Sequence, residues 1–207
     1  LTATEPFGAI AQEDRARGSR GLRVLFVPAF RRTASPNRTG HPGAPTSLSE
    51  FQSTVPFTAK GELVSDQAAH PPYGTGLTEP LTRYTRCHQT SGTTGTPLRW
   101  LDTPESWDDM VEDWATVLRM AGVGAGDRIL FAFSFGPFLG FWLAFEAAQR
   151  LGVLCFAGGG MSSALRLRVL LENECTVLCC TPTYGLHLPE VAIAERLDLT
   201  RSRIRTL

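Results

Sequence analysis

The stretch Arg128-Ile129-Leu130-Phe131-Ala132-Phe133-Ser134 is apolar at successive positions and decides the fold. A strand with one face in water alternates apolar and polar residues, whereas an unbroken apolar run suits a strand covered on both faces. The pattern repeats outward from it. On the C-terminal side come a helix-period segment over 138–151, an apolar run over 153–156 and a helix over 162–173. A third run over 176–179 and a helix over 182–197 follow. On the N-terminal side, Thr103-Pro104-Glu105 supplies an N-cap hydroxyl, a proline at the first helical position and an acid in the first turn. Trp107, Met110, Val111, Trp114, Val117, Leu118 and Ala121 then recur at helical spacing, and Gly122 or Gly124 ends the helix. Strand and helix in this alternating order predict an α/β fold, a mostly parallel sheet flanked by helices. Arg203-Ile204-Arg205-Thr206-Leu207 reads as the opening of one more strand.

Composition narrows the function classes. The chain has 207 residues, 43% of them hydrophobic, which is enough for a core. Its formal net charge is +0, which argues against nucleic-acid binding led by electrostatics. A mean hydropathy of -0.05 and the lack of a bilayer-length apolar run argue against a helical membrane protein. No basic segment followed by an apolar one opens the chain, so a cytoplasmic location is expected. The five cysteines are odd in number and mostly lie in apolar runs, which predicts reduced thiols in core positions. No His/Cys spacing marks a metal site. Among the 20 basic residues only Lys60 is lysine, so lysine chemistry has one candidate here, read as a charge on a helix surface.

Residues 1–46 carry seven Arg and three acids, mixed with Gly, Ser and Pro, and read as a flexible arm with a short strand over 22–30. Ser47-Leu48-Ser49-Glu50-Phe51 predicts a capped helix, and 56–63 a second one capped by Thr58. A strand over 84–89 leads into Thr90-Ser91-Gly92-Thr93-Thr94-Gly95-Thr96-Pro97, and Leu98-Arg99-Trp100-Leu101 resumes as a strand. The glycines of this loop permit close backbone approach, and its hydroxyls and N–H groups form an anion-binding concavity without a helix behind it. No Gly-Lys-Ser/Thr follows, so it is not a Walker A loop. By composition alone, these residues read first as an ordinary Ser/Thr/Gly turn between two strands. His88, just ahead of the loop, reads as a hydrogen-bonded strand residue rather than a base.

Thr90 to Pro97 resembles the phosphate-binding signature of the adenylate-forming enzymes, the superfamily of acyl-coenzyme A synthetases. Further elements resemble its phenylacetate–coenzyme A ligase-like branch, in the same order. They are Pro56-Phe57-Thr58-Ala59-Lys60, Ala121-Gly122-Val123-Gly124-Ala125-Gly126-Asp127-Arg128, Phe133-Ser134-Phe135-Gly136-Pro137-Phe138, Ala157-Gly158-Gly159-Gly160 and Cys180-Thr181-Pro182-Thr183-Tyr184. The likeness spans 48–207. Thr96 stands where relatives often carry Lys or Arg. Members are much longer, so the resemblance implies the N-terminal part of a large domain, truncated. Residues 47–207 would then be a partial AMP-binding domain, without its C-terminal half, the mobile C-terminal domain and the lysine that domain carries.

The resemblance implies activation of a carboxylic acid, aryl acids included, by ATP to an acyl-adenylate. Mg²⁺ would offset phosphate charge, and coenzyme A would then form the thioester. Thr90, Ser91, Gly92, Thr93, Thr94 and Gly95 would hold the phosphates by positioning and charge stabilisation. Phe135, Gly136, Phe138, Gly159, Gly160, Thr181, Pro182 and Tyr184 are the residues implied for the acyl pocket, although Phe135 and Phe138 read equally as core. No catalytic residue and no metal ligand is assigned. A homodimer is compatible with the pattern; a nucleic-acid or membrane partner is not expected. Two alternatives stand beside the coenzyme A reading: transfer to a carrier protein or another cofactor, and a non-catalytic nucleotide-binding module.

Overall fold

The computed structural model describes residues 47–54, 57–92 and 95–207. The arm and strand expected within 1–46, together with Pro56, Thr93 and Thr94, lie outside the described residues. The chain divides into two compact units, Leu1–Arg83 with Thr94–Leu98, and Tyr84–Thr93 with Arg99–Leu207.

In the first unit, α1 (Leu48–Thr54) begins as expected, with the Glu50 N–H donating to Ser47 Oγ at 3.1 Å. Helix α2 (Lys60–Ala69) departs from the expected Thr58 cap. Its N-cap is Ala59, whose N–H donates to the Glu62 carboxylate at 3.0 Å. The Glu62 N–H, which a capping hydroxyl would take, donates instead to Ala59 O at 3.1 Å, so the Thr58 hydroxyl one residue before the cap is not needed. Lys60 opens the helix and is exposed, as expected.

The second unit carries the sheets. Strands β1 (Arg86–Gln89) and β2 (Arg99–Asp102) pair antiparallel, Arg86 opposite Asp102 and Gln89 opposite Arg99. Helix α3 (Pro104–Met120) follows with the expected cap, Thr103 Oγ1 accepting from the Ser106 N–H at 3.2 Å. Then β3 (Arg128–Phe131), α4 (Leu139–Arg150), β4 (Leu154–Ala157), α5 (Ser163–Glu172), β5 (Val177–Cys179) and α6 (Pro182–Ala194) alternate. Strands β3–β5 form a parallel sheet in the order β4-β3-β5. Beyond β5, Thr206 forms a parallel bridge to Val177, where the sequence reads as a strand opening.

The pleat of β3 explains its unbroken apolar run. Ile129 and Phe131 face Trp107, Val111, Ala115 and Leu118 of α3 and Leu143, Ala144, Ala147 and Ala148 of α4. Leu130 turns the other way, joining Leu178 against Leu167 and Leu170 of α5 and Leu188 and Ala192 of α6. Each buried Val, Leu, Ile or Phe among them contributes about 1.5–3 kcal/mol. Two sequence expectations shift. Ala115 rather than Val117 lies on the inner stripe of α3, because 107, 111, 115 and 118 form its buried face, and Val117 is exposed. Strand β4 is not covered on both sides: it ends the sheet, and Leu154 is 57% exposed.

Candidate functional site at the carboxyl end of the sheet

Parallel strands bring their carboxyl ends to one edge, and in open α/β sheets the loops leaving that edge form the crevice that takes ligands. Here these loops are 132–138 after β3, 158–162 after β4 and 180–181 after β5. Two backbone bonds tie them together: the Ala132 N–H donates to Cys179 O at 2.9 Å, and the Gly158 N–H to Phe131 O at 2.9 Å. A Cβ at Gly158 would lie 2.6 Å from Phe131 O and 3.4 Å from Ala132 Cα. Only a residue without a side chain lets β4 leave this close to β3.

The Phe135–Phe138 segment is half inside the core. The Phe135 ring packs at 4.9 Å from Trp142 and 5.4 Å from Phe145, and Phe133 stacks on Phe141 at 4.1 Å. The Trp142 indole N–H donates to Gly136 O at 2.9 Å and fixes the turn that presents Phe135 and Phe138. A Cβ at Gly159 would meet the Phe135 ring at 3.8 Å, so these two expected pocket residues are neighbours. Gly136, Gly159 and Gly160 are exposed, and Phe135 and Phe138 are half-buried. Both readings of the two phenylalanines therefore meet in one place, an aromatic core that ends in a half-open rim.

The third expected group joins through residues that the sequence reading passed over. The Tyr184 hydroxyl donates to or accepts from Ser163 Oγ at 2.8 Å. The Arg166 guanidinium lies over the Tyr184 ring at 5.1 Å and donates through Nε to Gly158 O at 2.9 Å. Arg166 thus links Tyr184 to the glycine loop, while Thr181 and Pro182 open α6 on the exposed side. Its pattern signal was weak: Arg166 and Arg168 read alike as outer residues of one helix. Cys179 ends β5 at this edge, and burial pushes its thiol up to about 11, which keeps it neutral. All five cysteines are free, as expected.

The polar loop leaves β1 toward the same edge. The Gln89 N–H, one residue before Thr90, donates to Pro137 O at 3.0 Å. This bond sets the root of the loop beside the Gly136–Phe138 turn. Gly92 has φ 65°, a left-handed conformation that favours glycine, and Gly95 has φ 151°. Thr90 and Gly92 are half-buried and Ser91 is exposed. The loop returns to β2, so no helix N-terminus stands behind it, as the sequence predicts.

Beneath the loop root lies a buried polar cluster. The His88 ring stacks on Trp107 at 4.9 Å, and the Arg86 guanidinium lies over the same indole at 4.3 Å. The Trp107 N–H donates to Glu146 at 2.7 Å, and Arg86 pairs with Glu146 at 3.0 Å. His88 is a strand residue, as expected, but its Nδ1 lacks the expected hydrogen bond. Burial pushes the His88 imidazole below its ordinary value, against the pull of the Asp102 carboxylate. Burial also pushes the Asp102 carboxyl above its ordinary value, against a hydrogen bond from Ser106. Among the described residues, no group of three or more His, Cys, Asp or Glu side chains converges into a metal site. No helix among the described residues is long and apolar enough to cross a membrane.

Known proteins resemble the chain in sequence and in structure. No family model matches the chain. In structure it is similar to a 2-hydroxyisobutyryl-CoA ligase solved in complex with 2-HIB-AMP and CoA in the thioesterification state. The TM-score is 0.82 at 29% identity, over 94% of this chain and 42% of that one. The same ligase in its postadenylation state, with 2-HIB-AMP, gives a TM-score of 0.79 at 28% identity. The fold is thus that of part of an adenylate-forming coenzyme A ligase. In sequence the chain is 30% identical over 164 residues to a phenylacetate-coenzyme A ligase of Aromatoleum evansii, 77% of this chain and 35% of that protein. It is 28% identical over 191 residues to that of Pseudomonas putida, 90% of this chain and 41% of that protein. In sequence and fold together it is similar to the phenylacetate–coenzyme A ligase-like branch of the adenylate-forming superfamily. The chain spans about two fifths of the length of these relatives.

Proposed function

We propose that the chain is the phosphate- and acid-binding part of an ATP-dependent acid–thiol ligase. The observation that carries this reading is the Gln89 N–H bond to Pro137 O, which joins the root of the polar loop to the turn bearing Phe135 and Phe138. A nucleotide held by the loop and an acid held by the aromatic rim would meet at one sheet edge. In the whole ligase the acid carboxylate attacks the α-phosphorus of ATP, forming the acyl–AMP anhydride and releasing pyrophosphate. The thiolate of coenzyme A then attacks the acyl carbon and AMP leaves. Thr90, Ser91, Gly92, Thr93, Thr94 and Gly95 hold the phosphates through O–H and N–H donors, and they move no proton. The acid is small, and its body rests on Phe135 and Phe138 with Gly136, Gly159, Gly160, Thr181, Pro182 and Tyr184 around it. At two fifths of the relatives' length, the chain binds ATP without supporting carboxylate-dependent ATP–pyrophosphate exchange. The enzyme works in the cytoplasm.

Gly92→Val is the direct test. A branched side chain at φ 65° is strained and stands where the backbone approaches the phosphates. Calorimetric titration with ATP below the melting temperature should show affinity falling at least tenfold, with the circular dichroism of the folded chain retained. Unchanged ATP affinity in Gly92→Val would remove the loop from the site.

A further inference from the structure

His88 and Asp102 lie at the root of the loop in a geometry that packing alone leaves unexplained. They are 7% and 3% exposed. His88 Nδ1 and Asp102 Oδ2 face each other at 3.8 Å, beyond hydrogen-bond reach, and neither atom has a partner. A buried polar atom left unpaired is costly, and two that face each other call for a proton between them. Both groups are anchored on their far sides. The imidazole stacks on Trp107 with 10° between the ring planes, and the Ser106 hydroxyl lies 3.3 Å from the other Asp102 oxygen.

The charged groups around the ring leave Asp102 as its natural partner. Strand β1 contributes Arg86, β2 contributes Asp102, and α4 contributes Glu146, while α3 presents the neutral Trp107 and Ser106. Arg86 and Glu146 are already joined at 3.0 Å and share the Trp107 indole. An open 3.8 Å gap suits an imidazole whose Nδ1 lone pair faces the carboxylate. A proton from solvent on Nδ1 turns that repulsion into an imidazolium–carboxylate bond and closes the gap. His88 stands on β1, two residues before Thr90, the first residue of the loop. Gln89 between them is fixed to Pro137, so a displacement of the ring is passed along β1 into the loop.

We propose that His88 and Asp102 form a positioning pair for the phosphate loop, in which uptake of one proton closes the Nδ1···Oδ2 gap and favours the loop conformation that binds phosphate. The inference rests on the phosphate-binding reading of Thr90–Gly95 and adds its regulation. By linkage, phosphate at the loop must favour the proton as much as the proton favours phosphate. Burial lowers the His88 imidazole and raises the Asp102 carboxyl, so the two titrate as one coupled unit.

The test is a pH titration of the His88 ring by two-dimensional NMR in the ¹⁵N-histidine-labelled 207-residue chain, with and without saturating metal-free pyrophosphate. The exposed His70 and His187 serve as internal references. The expected result is that pyrophosphate moves the His88 midpoint upward by about one pH unit, equivalent to tenfold tighter binding by the protonated pair. In Asp102→Asn pyrophosphate still binds but the movement is lost. A His88 midpoint that stays put while pyrophosphate binds overturns the inference and leaves the loop reading intact. An equal movement in Asp102→Asn assigns it to the anion's charge and overturns the inference too. No pyrophosphate binding at any pH overturns the loop reading and the inference with it.

Discussion

Replacing Asp127 by Asn should cost about 1–2 kcal/mol at neutral pH and only a small part of that near pH 2. Asp127 is buried at the amino end of β3, and its carboxylate gathers four donors. The Gly124 N–H reaches it at 3.0 Å, the Thr176 hydroxyl at 2.7 Å, and the Arg205 guanidinium at 3.3 Å and 2.5 Å. Burial alone would raise its pKa. The Arg205 guanidinium, the Thr176 hydroxyl and the Gly124 N–H outweigh burial and lower the value from 3.8 to about 2. That fall corresponds to at most about 2.5 kcal/mol of preference for the charged form. Arg205 is 46% exposed, so solvent screening reduces the figure to about 1–2 kcal/mol. The sign follows from a depressed carboxylate. Its contribution is complete above about pH 4 and is lost as the pH falls through about 2. Asparagine keeps one acceptor but turns an NH₂ group toward the Arg205 and Thr176 donors. Thermal melts of parent and variant from pH 7 to pH 2 provide the assay. A gap of about 3–8 °C at pH 7 is expected, narrowing below pH 4. A gap of the same size at both ends of the range would refute an electrostatic origin. No gap at pH 7 would remove Asp127 as a structural tie.

Two further perturbations probe the sheet. Gly158→Ala places a Cβ 2.6 Å from the Phe131 carbonyl oxygen, so β3 and β4 must separate where the candidate site begins. A loss of about 1–3 kcal/mol in urea unfolding is expected, and a variant as stable as the parent would contradict the close approach. Among the cysteines, Cys87 is exposed, whereas burial pushes the thiols of Cys155, Cys175 and Cys179 up to about 11. Timed maleimide labelling read by peptide mass spectrometry at pH 7.5 should modify Cys87 first and these three last. Early labelling of Cys175 in the folded chain would contradict its burial.

The layered fold is legible in the sequence because its signals are local. Apolar runs predict β3, β4 and β5, and Thr103-Pro104 predicts the start of α3, since capping depends on neighbours a few residues away. What escapes local reading depends on long-range contact. Whether Leu154 is covered is decided by strand order, which no single run encodes. The loop at Thr90 is visible as a motif, yet its neighbour Pro137 is 48 residues from Gln89, and nothing in either segment announces the bond. Arg166 escapes for the same reason: its stacking on Tyr184 needs the return of the chain through β5. His88 is visible as a strand residue, but its unpaired nitrogen exists only once Asp102 and Trp107 have been folded against it.

The two ends of the sheet divide the labour among motifs that look alike in the sequence. The Ala121–Arg128 element is richer in glycine than the Thr90–Pro97 loop, and both resemble family signatures. Its Asp127, however, lies at the amino end of β3, where Asp127 O accepts from the Leu154 N–H at 3.0 Å and its side chain holds Thr176 and Arg205. These contacts join the starts of all three parallel strands to the bridge at Thr206, so that element serves cohesion. The carboxyl end instead spends its glycines on approach and exposure, at Gly136, Gly158, Gly159 and Gly160. An Asp127 variant should therefore lower stability while leaving ATP affinity intact below its melting temperature, whereas Gly92→Val should lower ATP affinity with the fold retained. Loss of ATP affinity in the folded Asp127 variant would show that the two ends are not separable, and unchanged affinity in Gly92→Val would return the phosphate loop to the reading of an ordinary turn.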